Sequence, residues 1–244
     1  MTTVALLALA ACAARPPSLP PTIVLPLAAP VPTTASREPK EIAVTPVFRD
    51  LGDRRPLLEP SLATDRAPDT FHARFTTTQG DFVVQVHRSW APNGADRFYN
   101  LVRIGFYDGT RFFRAIDGFM VQWGISGDSA VSAAWHDATV KDDPSKHSNA
   151  RGTMSFAKTG APDSATTQVF VNYADNARLD GMRFCPFGEV TEGMSALDAL
   201  YKGYGEGGSA GHGPDQGRIQ SEGDAYLDGF PKLDRIVRAQ IEGD

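Results

Sequence analysis

Twelve of the 18 prolines fall in residues 1–70, whereas only Gly52 of the 23 glycines and only Phe48 of the 23 aromatic side chains do. A segment with a single aromatic side chain cannot supply much of a core, and prolines remove the donors that helices and sheet ladders need. The folded part is therefore expected after residue 69. Residues 1–70 carry seven basic and seven acidic side chains, so the remaining 17 basic and 22 acidic ones account for the net charge of −5. With no positive excess to neutralise phosphates, nucleic acid is excluded as the expected partner.

The leader divides further. Residues 1–11 are short and apolar, far below the roughly 20 residues a membrane span requires, and read as a signal peptide core. Leu9-Ala10-Ala11-Cys12 resembles a bacterial lipoprotein lipobox, which implies lipidation at Cys12, although Met1-Thr2-Thr3 lacks the positive charge that usually opens such a leader. Residues 12–69 form the expected Pro-rich tether, with nine prolines between 15 and 46. Residues 47–69 read as its continuation, where contacts with the domain surface are expected. The folded domain is placed at 70–244.

From Phe71 the periodicity changes. Phe71, Ala73 and Phe75 alternate, Gln79-Gly80 turns the chain, and Phe82, Val84 and Val86 alternate again, which predicts a β-hairpin. Pro92 opens a helix through Arg103, with Ala95, Phe98, Leu101 and Val102 on one face and Gly105 as its stop. Short strands are predicted at 111–116, 119–123, 152–156, 168–173, 186–190 and 233–241, with a second helix over 193–201. Many short strands, two helices and no βαβ spacing predict a mainly β, closed antiparallel barrel.

Three motif matches lack their context. The GxGxxG at 203–208 follows a helix instead of a strand, and the GxSxG around Ser209 has no apolar strand before it. The five histidines show no metal spacing, and Cys12 and Cys185 offer neither a Cys-based zinc site nor an obvious disulfide pair.

The informative stretch is 112–122, where Arg114 and Gln122 lie on adjoining short strands beside Phe119 and Met120. Alternation lets the cation and the amide share a wall with an apolar pocket. Gly152-Thr153-Met154-Ser155-Phe156-Ala157, Thr167-Gln168-Val169-Phe170-Val171, and Leu179-Asp180-Gly181 ahead of Phe187-Gly188-Glu189-Val190 then follow in order. Together these resemble the cyclophilin family of peptidyl-prolyl cis-trans isomerases, over residues 71–201.

The resemblance implies an eight-stranded antiparallel barrel capped by two helices, with no metal and no organic cofactor. It assigns Arg114 as the catalytic arginine and Phe119, Met120, Phe170 and Leu179 as the proline pocket. Gln122 and Gln168 are implied to surround the bound peptide, and Ala157 and Lys158 to meet its backbone. Arg178 stands where family members commonly carry tryptophan, and the run 182–185 leaves Arg183 and Phe184 as alternatives for the pocket wall. Residues 203–214 read as an insertion without an assigned role.

The implied activity is X–Pro isomerisation, and the implied partners are proline-containing segments of unfolded or folding proteins. With Cys12 lipidated, the chain is expected as a monomer tethered to the periplasmic side of a bacterial membrane; without lipid it is expected to be periplasmic or secreted. A proline-peptide-binding chaperone or scaffold of the same fold is the alternative to an enzyme.

Overall fold

The computed structural model describes residues 54–243. The signal peptide, Cys12 and most of the Pro-rich tether lie outside the described residues. The described part of 54–69 packs on the domain. Helix α1 (Arg55–Leu58) buries Leu57, whose carbonyl accepts from Trp135 Nε1 at 3.0 Å. The Ala67 amide donates to Asp96 at 2.9 Å.

Eight strands build one antiparallel sheet: β1 (Thr70–Thr77), β2 (Gly80–His87), β3 (Arg114–Ile116), β4 (Met120–Trp123), β5 (Thr153–Phe156), β6 (Val169–Asn172), β7 (Pro186–Glu192) and β8 (Ile236–Ile241). Their order is β3-β4-β6-β5-β7-β2-β1-β8. The hairpin predicted from alternation is β1–β2, with Phe75 opposite Phe82 and their rings stacked at 4.8 Å. Its turn is Thr78-Gln79, one residue earlier than expected, because Thr77 pairs with Gly80 and Gly80 opens β2 at φ +118°. The sheet curls around Phe75, Phe82, Phe98, Trp123 and Phe187, all fully buried.

The expected closed ladder is not what is observed, since the outer strands β3 and β8 share no ladder. The edge of β3 away from β4 is taken by Gly205, which bridges Ala115. The stretch preceding β3 is joined instead to the start of β8 and the residues before it, by Gly109 N–H to Ile236 O, Ile236 N–H to Thr110 O and Phe112 N–H to Asp234 O, at 2.9, 2.9 and 3.0 Å.

Helix α2 (Pro92–Arg103) has the predicted bounds and covers the curled sheet with Ala95, Phe98, Leu101 and Val102. The second expected helix contracts to α4 (Met194–Asp198). Two helices are not the full set: α3 (Ser129–Trp135), α5 (Gln216–Glu222) and α6 (Asp224–Leu227) are also present. Both α3 and α5 start at an aspartate whose side chain accepts a backbone N–H, Asp128 from Ala130 and Asp215 from Arg218, each at 2.9 Å. They are too short for a periodic stripe. Ile219 of α5 and Leu227 of α6 join Phe113, the residue immediately before β3, with Ile125 and Leu233 in a second core. That second core supports the strand carrying Arg114.

Candidate active site

β3 and β4 are joined by a tight turn, and their register sets Arg114 opposite Gln122 and Ile116 opposite Met120. Directly opposed residues project to one face of a sheet. The expected shared wall is therefore present. β4 pairs in turn with β6, setting Gln122 opposite Phe170.

Met120, Phe170 and Leu179 form a small buried cluster of their own, bordered by Ile116, Phe119, Ala157 and Phe184. Above it opens a cavity of ≈ 190 Å³ lined by Arg114, Phe119, Met120, Gln122, Ala157, Lys158, Phe170, Leu179, Phe184 and Gln216. At about 30 Å³ per liquid water, several waters would leave as an apolar ring entered.

A polar chain runs along one side. Arg114 donates from Nη1 to Gln122 Oε1 at 3.0 Å, and Gln122 Nε2 donates to Gln168 Oε1 at 2.8 Å. Gln168 does not itself line the cavity but holds the amide that does; its carbonyl also accepts from the Ala157 N–H at 2.9 Å. Arg114 Nη2 donates to Glu206 Oε2 at 2.6 Å. The Arg114 Nε is buried without a hydrogen-bond partner. A planar guanidinium held at both ends, with N–H groups left over, is a preorganised donor at an apolar cavity.

Lys158 borders the cavity. Its Nζ is bonded to Asp142 at 2.6 Å and its side chain is only 6% exposed, so the charge is committed to Asp142. Of the two alternatives at 182–185, Phe184 lines the cavity, edge-on to Phe170 at 5.7 Å. Arg183, at φ +62°, borders a separate cleft of ≈ 30 Å³ beside Asp142, Asp143 and Cys185.

Asn149 ties this wall to the sheet. Its main-chain N–H and its Nδ2 donate to Asp180 Oδ1 at 2.9 and 2.8 Å, and Nδ2 also donates to the Phe184 carbonyl at 2.8 Å. Ser155 Oγ donates to Asn149 Oδ1 at 3.0 Å. Burial alone would raise the Asp180 carboxyl, but the donors from Ser148 and Asn149 hold it below the usual carboxylate range.

The sequence reading missed Glu206, Gln216 and Asn149. Glu206 and Gln216 come from parts of the chain without periodicity, and only the acid set among glycines opposite a cationic strand could have signalled the first. Asn149 has no sequence signal.

The cyclophilin type peptidyl-prolyl cis-trans isomerase/CLD family model matches residues 72–221. The chain is 36% identical over 150 residues to peptidyl-prolyl cis-trans isomerase B of Escherichia coli (strain K12), covering 59% of this chain and 88% of the relative. Peptidyl-prolyl cis-trans isomerase A of Dickeya dadantii (strain 3937) is 38% identical over 138 residues, 55% of this chain and 73% of that one. Among solved structures, the fold is similar to a cyclophilin type peptidyl-prolyl cis-trans isomerase of Cryptosporidium parvum, with a TM-score of 0.54 and 22% identity over 72% of this chain and 99% of that one.

Proposed function

Because this chain belongs to the cyclophilin-type peptidyl-prolyl cis-trans isomerases, and is an isomerase of that kind, we propose that Arg114 lowers the rotation barrier by donating to the twisted prolyl amide. The observation that carries this reading is the Arg114 guanidinium, held by Gln122 and Glu206, in the wall of the cavity above Met120, Phe170 and Leu179.

An X–Pro amide resists rotation because nitrogen donates its lone pair into the carbonyl, with a peptide barrier of about 18–20 kcal/mol. Uncatalysed exchange takes roughly tens to hundreds of seconds. At a right-angled twist the conjugation is lost, the nitrogen becomes pyramidal, and it can accept a hydrogen bond that neither planar form accepts. A donor placed there binds the transition state in preference to the ground state. Arg114 suits this because its charge is permanent and its N–H groups have fixed directions. The apolar cavity grips the proline ring and sheds water, which favours the less dipolar twisted amide. No proton is transferred. A gain of about 10⁵ needs roughly 7 kcal/mol, within reach of one charge-assisted hydrogen bond together with desolvation and positioning.

The substrates in this reading are proline-containing segments of exported proteins as they fold, and the enzyme acts as a monomer. The Leu9-Ala10-Ala11-Cys12 sequence supports a lipid tether at Cys12 to the periplasmic side of a bacterial membrane. Labelled palmitate incorporated by the chain and lost in Cys12→Ala is the expected outcome there. For the chemistry, the cis-to-trans rate of an Ala-Pro-Phe reporter peptide is measured with the full chain and with Arg114→Ala. Most of the turnover is expected to be lost while the fold persists; wild-type turnover in a folded Arg114→Ala variant would remove Arg114 from the mechanism.

A further inference from the structure

The 203–214 segment is built around a single side chain. Gly205 bridges to Ala115 of β3, Gly207 bridges to Gly213, and the Gly213 N–H donates to the Glu206 carbonyl at 2.8 Å. A Cβ on Gly207 would stand 2.2 Å from the Pro214 carbonyl oxygen. One on Gly211 would stand 2.2 Å, and one on Gly213 2.9 Å, from the Glu206 carbonyl oxygen. These glycines let the chain double back on itself at a distance no side chain allows. The GxGxxG match thus serves a close backbone approach within the protein. Tyr204 anchors the segment through ring contacts with Tyr201 at 5.0 Å and Phe230 at 5.3 Å, on the core that also holds Phe113.

This clasp delivers the Glu206 carboxylate to Arg114. Oε2 accepts from Arg114 Nη2 at 2.6 Å, and Oε1 accepts from the Gly207 N–H at 3.2 Å. Burial would raise the Glu206 carboxyl, but the hydrogen bond and charge of Arg114, with the Gly207 N–H, hold it below the usual range. Both side chains are partly covered, Arg114 at 23% and Glu206 at 35% exposed.

We propose that Glu206 is a positioning residue for prolyl isomerisation, clamping one end of the Arg114 guanidinium while Gln122 clamps the other. The proposal rests on Arg114 being the donor. An arginine fork has five N–H groups, and the two clamps need one from each terminal nitrogen. The contact therefore fixes the group without consuming it. A long flexible side chain immobilised before substrate arrives need not be ordered during the reaction, which is how preorganisation raises turnover.

The test uses the full chain with Glu206→Ala, Glu206→Gln and Arg114→Ala, separating kcat from KM with the reporter peptide. Glu206→Ala is expected to lower kcat about tenfold with KM changed less than about twofold, because substrate binding is left intact while the donor wanders. Glu206→Gln, whose carboxamide oxygen accepts the same bond, is expected to recover most of that loss. Wild-type or raised kcat in Glu206→Ala overturns the proposal, the latter marking Glu206 as an inhibitor of Arg114. So does a Glu206→Gln variant as impaired as Glu206→Ala. Should Glu206→Ala not fold by near-ultraviolet circular dichroism, Glu206→Asp, one methylene short of the contact, takes its place with the same expected loss. Wild-type turnover in Arg114→Ala would be a different failure, that of Arg114 as the donor.

Discussion

The Arg178 guanidinium lies 4.6 Å from the centroid of the Phe119 ring, and the Arg114 guanidinium lies 5.7 Å from the same centroid. A ring that lines the cavity is thus held by two cations. One belongs to the polar wall and the other is exposed. Exposed cation–π contacts contribute about 0.5–1 kcal/mol, so Arg178→Ala should raise KM for the reporter peptide about two- to fivefold. Because Arg178 does not reach the polar chain from Arg114 to Gln168, kcat should stay within about twofold. Unchanged KM would show that Phe119 keeps its place without this partner.

Arg114→Lys separates charge from shape. Lysine preserves the cation, but one ammonium on a flexible stem cannot replace a planar fork that meets Gln122 and Glu206 from two nitrogens. Loss of a preorganised donor typically costs about 10²–10³ in turnover. The lysine variant is accordingly expected to lose at least about a hundredfold in kcat, with a melting temperature near that of the parent because β3 retains its pairing with β4. Near-parental kcat in this variant would mean that charge alone suffices.

Asn149 is fully buried and hydrogen-bonded to Asp180, Phe184 and Ser155, so it joins the 3₁₀ segment carrying Leu179 to strand β5. Asn149→Ala removes the acceptor of Ser155 Oγ and the donor to the Phe184 carbonyl. Each buried group left unpaired costs about 1–3 kcal/mol, so the two together predict a loss of about 2–6 kcal/mol in urea unfolding. Activity should fall as well, since Leu179 and Phe184 both line the cavity. An unaltered unfolding midpoint would show that solvent replaces these bonds at little cost.

Legibility of the site followed the regularity of the backbone that carries it. Arg114, Met120, Gln122 and Phe170 sit on β3, β4 and β6, where period-two alternation fixes the side each residue faces, so a wall of cation, amide and apolar side chains could be read before any coordinates. Leu179 and Phe184 sit on a 3₁₀ turn and the chain after it, where no period distinguishes Arg183 from Phe184. Arg183 takes a left-handed backbone conformation, and Phe184 is the one that lines the cavity. Glu206 is further from reach, because its position depends on contacts among Gly207, Gly211, Gly213 and Pro214 that composition registers only as a loop. The short helices α3 and α5 were missed for a related reason: each is seven residues long, defined by an aspartate cap and by three buried side chains in α3 and one in α5. The open seam between β3 and β8 could not be anticipated from strand count.

Acid should weaken the fold through Asp96. Burial alone would raise this carboxyl, but Arg88 donates to it from Nε and Nη2, both at 2.8 Å, and the Ala67 amide donates at 2.9 Å. These bonds and the Arg88 charge prevail and hold it below its ordinary value. A depressed carboxyl contributes stability that is complete above its unfolded pKa and is lost as pH falls through its folded one. Asp143 has the opposite sign. Burial pushes its carboxyl up despite amide donors from Gly94 and Asn93, so its contribution is complete below the unfolded pKa and is lost as pH rises through the folded one. In Asp96→Asn the titrating group is gone and Arg88 loses its charged partner. That variant should be less stable than the parent at pH 7, and the gap in urea midpoint should narrow by pH 3, below the ordinary aspartate range, where the unfolded parent takes up a proton that the folded one resists. A gap of the same size at both pH values would assign the loss to packing rather than to the Arg88–Asp96 pair.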